Sequence, residues 1–154
     1  MILTKECHYA MKAVIRLGNM EKTSVKELCR YENIPLAFGY KILKKLAQNG
    51  IVKSYQGSRG GYQLAKYPGS LTMLEIIQAM GDDDNGLLHN KCLKKEHSCN
   101  RHVSEKPCSL NAELVRIQGR FSDELSRCTL QNLIDNFGAD STENMGASLD
   151  VTSN

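Results

Sequence analysis

The sequence predicts a mainly α-helical fold with one small β-hairpin, and three observations carry that prediction. Apolar residues recur at helical spacing through most of the periodic segments. Helix-start signals, a Ser or Thr followed three positions later by glutamate, stand at "SVKE" (24–27) and within "LTMLEI" (71–76). Between them, "IVKSYQGSRGGYQL" (51–64) switches to strand alternation around a glycine-rich turn. With 154 residues, 41% of them apolar, the chain has material for one core plus an accessory element.

The first helix is expected over 4–17: Thr4 caps it, Tyr9, Ala10, Ala13, Val14 and Leu17 form its apolar stripe, and Gly18-Asn19 ends it. A second starts at Ser24, where Ser24 serves the Glu27 amide and Glu27 reaches back; Val25, Leu28 and Cys29 face inward. After the break "RYENIP", a third helix covers 36–48 with Ile42, Leu43 and Leu46 inward, Lys41, Lys44 and Lys45 outward, and Asn49-Gly50 as the stop. Two short helices around a break form a helix-turn-helix, and the hairpin that follows completes a winged-helix layout. Gly57, Gly60 and Gly61 permit a tight hairpin tip with Arg59 at its apex, and Tyr62 and Leu64 alternate inward. In that layout the third helix enters the major groove and an arginine on the wing reaches the minor groove. Ala37, Phe38, Tyr40, Lys41 and Lys44, with Ser58 and Arg59 on the wing, are the candidate DNA contacts.

A fourth helix starts at Thr72, capped by Glu75 and stapled by Leu71 and Ile76, and ends by Gly81. Asp82-Asp83-Asp84 lacks the further spaced oxygen ligands of a calcium loop and reads as a solvated turn. From Leu110 the apolar residues Leu114, Ile117, Phe121 and Leu125 follow at near-heptad spacing, a seam that a partner helix in a homodimer would cover. "TLQNLIDNF" (129–137) forms a short last helix, and the polar 138–154 reads as a disordered tail. The expected divisions are 1–81, a DNA-binding domain; 82–109, a cysteine loop; 110–137, the dimerisation and closing helices; and the tail.

Charge sharpens the functional reading. Residues 1–80 hold 12 Lys/Arg against 5 Asp/Glu, a net of +7, whereas 81–154 net −4. A polyanion partner therefore suits the front half alone. No run of eighteen apolar residues is present, so no membrane span is expected. The N-terminus has no secretory signal pattern, and a cytoplasmic protein is expected.

In that compartment thiols stay reduced, so clustered cysteines point to metal or redox chemistry before disulfides. Cys92, Cys99 and Cys108 fall within seventeen residues, with His97 and His102 between them. Thiolates suit the iron of an iron–sulfur cluster, and Lys91, Lys94, Lys95 and Arg101 could offset their charge. Zinc also takes Cys/His mixtures, although no Cys-x-x-Cys pair is present. A cysteine-based redox enzyme is a further alternative, but it lacks a nucleotide motif and the same Cys-x-x-Cys, so no enzyme is expected.

Several segments together resemble one family: "LTKECHYAMKAV", "LCRYENIPLAFGYKILKKLAQNGIVKS", "GSRGGYQLAK", "LTMLEIIQAM", the three-cysteine loop and "TLQNLI". Across roughly 1–137 the chain is similar to the Rrf-two family of bacterial winged-helix regulators, with IscR-, NsrR- and CymR-type members. The resemblance implies a homodimer that binds a roughly palindromic double-stranded DNA operator. Members with three loop cysteines hold an iron–sulfur cluster, 2Fe–2S or 4Fe–4S, whereas CymR-like members lack those cysteines; a zinc-stabilised or thiol-sensing repressor is the alternative. The intervals here, six and eight residues, are longer than the family's usual ones, particularly the second. Some members supply a fourth ligand three residues after the last cysteine, where this chain has Asn111. Others supply it from the start of the partner's first helix, where this chain has His8, beside Cys7 and expected to point away from the core.

Overall fold

The computed structural model of the chain describes residues 4–57, 60–81 and 108–143, with side chains of the last helix described as far as 136. Helix α1 (Lys5–Gly18), α2 (Val25–Glu32) and α3 (Leu36–Gln48) precede an antiparallel hairpin, β1 (Val52–Tyr55) and β2 (Gly61–Leu64). A 3-10 turn at Pro68–Ser70 leads into α4 (Met73–Met80), and α5 (Ser109–Arg127) and α6 (Leu130–Glu143) close the described fold. The predicted class, mainly helical with a hairpin wing, is what forms. No helix among the described residues is long and apolar enough to cross a membrane.

Local chemistry places the starts as expected. Thr4 Oγ1 accepts the Cys7 amide, and Ser24 Oγ accepts the Glu27 amide. The reciprocal half of the expected box at α2 is absent, because the Glu27 carboxylate instead accepts a bond from Thr23 Oγ1 at 3.3 Å. At α4 both halves are present: Thr72 Oγ1 accepts the Glu75 amide and Glu75 Oε2 accepts the Thr72 amide. Asn33 closes α2 in the left-handed region at φ 54°, which lets the Ile34 amide reach the Cys29 carbonyl.

One core joins all of these elements. Leu17, Leu28, Ile42, Leu43, Leu46, Ile51, Leu71, Ile76 and Leu130 are fully buried in it. Cys7 joins the buried stripe of Ala10, Ala13, Val14 and Leu17, and Tyr9, half-buried, packs against the core and sets its ring edge-on to Phe38, centroids 5.7 Å apart. Two glycines permit close helix crossings. A Cβ on Gly39 would overlap the Cys29 sulfur, and one on Gly18 would stand 2.5 Å from Ile134 Cδ1.

The C-terminal part folds back on the rest through backbone bonds. The Met73 amide donates to the Cys128 carbonyl at 2.8 Å, and the Leu130 amide to the Leu71 carbonyl at 2.7 Å. Thr129 and Asn132 cap α6 reciprocally beside this bridge. Helix α6 runs to Glu143, past the expected end at 137 and into the segment read as tail. The seam on α5 is also divided: Leu125 is buried in the chain's own core, while Leu110, Ile117 and Phe121 stay 53%, 45% and 37% exposed.

Candidate nucleic-acid interface and cysteine site

Helix α3 packs Gly39, Ile42, Leu43 and Leu46 inward and leaves Leu36, Ala37, Phe38, Tyr40, Lys41 and Lys44 exposed. The five sequence-predicted contacts on this helix therefore share its outer surface, with Phe38 toward α1 against Tyr9. Lys45 departs from the expectation. It is half-buried, donating to the Met80 carbonyl at 3.0 Å and pairing with Glu6 at 3.4 Å. Glu6 also accepts a hydrogen bond from Lys41. That bond, aided by the Lys45 charge and opposed by desolvation, holds the Glu6 carboxyl below the usual carboxylate range.

The hairpin is fixed to the helices at its base. Thr23 and Tyr62 exchange two backbone bonds of 3.0 and 2.8 Å, and the Ala65 amide donates to the Ile51 carbonyl at 2.9 Å. Gly57 adopts φ 97°, and a Cβ on Gly60 would lie 2.6 Å from the Tyr55 carbonyl oxygen, so the tip requires both glycines. Ser58 and Arg59 lie outside the described residues. A pair that the sequence reading passed over stands at the turn end of the wing's strands: the Lys22 ammonium sits 5.4 Å from the Tyr55 ring centroid, and Tyr55 donates to Gln63 Oε1 at 3.2 Å. Only the fold brings Lys22 to Tyr55, although an exposed aromatic beside the glycine turn was a readable signal.

Of the cysteine loop, Cys92, Cys99, His97 and His102 lie outside the described residues, as does the acidic triplet. Cys108 is a half-buried free thiol at the N-cap of α5. One turn on, the Asn111 side-chain oxygen is buried with no hydrogen-bond partner among the described residues. A buried acceptor without a donor is costly, so a hydrogen-bond donor or a cation beside it would fit. His8 is exposed on the first turn of α1, pointing away from the core as expected, while Cys7 beside it is buried with its sulfur 3.3 Å from Thr4 Oγ1. Among the described residues no three His, Cys, Asp or Glu side chains gather at one point.

A helix-turn-helix with an exposed second helix, flanked by a glycine-tipped wing, defines a DNA-binding transcriptional regulator. The comparisons with known proteins place it within that class. The family model for Rrf2, described as an iron-dependent transcriptional regulator, matches residues 3–136, and the chain belongs to this family. The HTH-type transcriptional regulator IscR of Enterobacter sp. (strain 638) is 27% identical over 139 residues, 88% of this chain and 81% of that protein. Among solved structures, IscR of T. potens aligns with a TM-score of 0.68 at 16% identity, covering 96% of this chain and 93% of that one. CymR, the global cysteine regulator of B. subtilis, aligns with a TM-score of 0.64 at 24% identity, covering 87% and 96%. At such identities the two structures establish the fold, and none of these proteins is an enzyme.

Proposed function

We propose that the chain is a homodimeric, cytoplasmic regulator that binds a roughly palindromic operator and senses iron supply, redox state or nitric oxide through an iron–sulfur cluster. Cys92, Cys99 and Cys108 are its cysteine ligands, and His8 of the partner subunit is the fourth. One observation carries this reading: Cys108 caps the same helix whose Leu110, Ile117 and Phe121 form an exposed apolar stripe. The far end of that helix is bonded to the DNA-binding unit through the Cys128 and Leu71 carbonyls. Sensor thiol, dimer seam and reading head are thus successive parts of one connected element. A bound cluster supplies redox-active iron whose loss or modification changes what the loop thiolates hold.

Within the interface, Ala37, Phe38, Tyr40, Lys41 and Lys44 meet the major groove and Ser58 and Arg59 the minor groove. Few of these are strong hydrogen-bond readers, so DNA shape carries much of the selectivity. A second reading, a zinc-holding or thiol-sensing repressor, draws on the long Cys99–Cys108 interval and on the fold shared with CymR.

Anaerobic purification followed by an absorption spectrum and iron, sulfide and zinc analysis separates the two. The cluster reading expects a brown protein whose visible bands vanish in Cys92→Ala, Cys99→Ala or Cys108→Ala and shift in His8→Ala. Colourless protein with stoichiometric zinc, or with no metal, overturns it. A wild-type spectrum in His8→Ala with a changed one in His97→Ala or His102→Ala moves the fourth ligand into the loop.

A further inference from the structure

The Glu6 carboxylate, in the first turn of α1, reaches two lysines of α3 that lie 35 and 39 positions away in sequence. The two are held differently. Lys45 is only 23% exposed and is also tied to the Met80 carbonyl at 3.0 Å, whereas Lys41 is 55% exposed on the outer surface of the helix, near Tyr40 and Lys44. Glu6 itself is 22% exposed.

We propose that Glu6 competes with duplex DNA for Lys41: in the free protein its carboxylate occupies the place at Lys41 that a DNA phosphate takes in the complex. The proposal rests on α3 being the recognition helix. A carboxylate and a phosphate offer an ammonium the same kind of anionic oxygen, so they compete for Lys41. Lys41 is the partner that exchanges, because its side chain is 55% exposed on the outer surface of α3, against 23% for Lys45. Lys45 stays, anchored by the Met80 carbonyl, so the departure of Lys41 does not leave the half-buried carboxylate without a cation. Binding then requires one exposed ion pair to be broken for each phosphate contact made by Lys41. Glu6 thereby lowers affinity for any duplex and makes Lys41 contribute less than an uncommitted lysine would.

A double-mutant cycle on the full chain tests this. The probe is a duplex recovered by in-vitro selection from random double-stranded DNA, titrated by fluorescence anisotropy at low ionic strength and again at raised salt. Glu6→Gln is expected to tighten binding about two- to five-fold, the range an exposed ion pair spans, with the gain shrinking as salt is raised. Lys41→Gln is expected to weaken binding more in the Glu6→Gln background than in the wild type, by about the same factor. Equal losses from Lys41→Gln in both backgrounds would show that Glu6 does not compete and would overturn the proposal. Weaker binding in Glu6→Gln would overturn it too, since Glu6 would then be aligning Lys41 for the phosphate. If Glu6→Gln does not fold, Glu6→Asp keeps the charge on a shorter arm; it must tighten binding, and unchanged affinity refutes the competition. Failure to recover any duplex from the random pool removes the recognition-helix reading and this proposal with it.

Discussion

Replacing Gly39 by alanine tests whether a single sulfur sets the crossing of α2 and α3. The residue is buried at the end of the first turn of α3, and a Cβ there would overlap the Cys29 sulfur. The next neighbours, Val25 Cγ1 at 3.5 Å and Cys29 Cβ at 3.9 Å, are ordinary contacts, so the sulfur is the obstacle. Alanine gains about 1 kcal/mol over glycine in a helix interior. Overpacking a fixed, buried site costs about 1–3 kcal/mol, and direct overlap with a short side chain belongs at the upper end. The expected net is a destabilisation of about 2 kcal/mol in the wild-type background. With Cys29→Ala the overlap is gone and the same change stabilises by about 1 kcal/mol, which gives a coupling of about 3 kcal/mol. Cys29→Ala alone loses about 1 kcal/mol for one buried heavy atom, so the double mutant returns close to wild type. Urea unfolding followed by circular dichroism, at one fixed protein concentration, measures all four corners. A higher unfolding midpoint in Gly39→Ala, or the same effect with and without the sulfur, refutes the reasoning.

Four further substitutions probe other parts of the molecule. Ile117→Glu and Phe121→Glu should each give monomers or aggregates, because either buries an unpaired charge in the α5 seam; unaltered sedimentation of both variants rules out that interface. Glu75 has its pKa lowered first by the Lys66 hydrogen bond and then by the Thr72 amide. A depressed folded pKa means stability that is full above the unfolded value and is lost as pH falls through the folded one. Glu75→Gln should therefore be less stable than wild type near neutrality, with the gap closing in acid, and a gap that persists or widens in acid denies this role. Arg59→Ala should weaken binding to the selected duplex by about 1–3 kcal/mol, and unchanged affinity there counts against the wing reaching the minor groove.

What could be read from the sequence was local. The capping threonine at α4, the bounds of α3 and the glycine tip of the hairpin each depend on residues a few positions apart, and periodicity finds those. The mistakes involve partners distant in sequence. Lys45 reads as an outward cation because nothing near it reveals Glu6 or the Met80 carbonyl. Leu125 fits the heptad spacing of the seam, yet it is buried in the chain's own core, a choice set by where α4 lies against α5. The polar run after 137 has no apolar repeat of its own. It is helical to Glu143 because Leu130 and Ile134 have already docked α6 on the core, and extending a nucleated helix is far easier than starting one. Tyr9, read as part of the apolar stripe, does pack half-buried against the core, but its contact with Phe38 of α3 is one that only the helix crossing reveals.

The arrangement of these long-range contacts bears on how a sensor loop could act on a reading helix. Helix α5, capped by Cys108, packs along α4. The last carbonyl of α4, at Met80, accepts the Lys45 ammonium of α3, and Lys45 pairs in turn with Glu6 of α1. Each link is a specific bond or a packed helix face, so the elements stand in physical series from the cysteine to the recognition surface. Contiguity alone is not coupling; a signal needs an element in the series with two arrangements of similar energy. The Glu6–Lys41–Lys45 group is a candidate for such an element, with one anion shared by two cations and Lys45 held also by the Met80 carbonyl. A shift of the C-terminal end of α4 would move the acceptor that holds Lys45, alter how firmly Glu6 is held, and so change how readily Lys41 is given up to a phosphate.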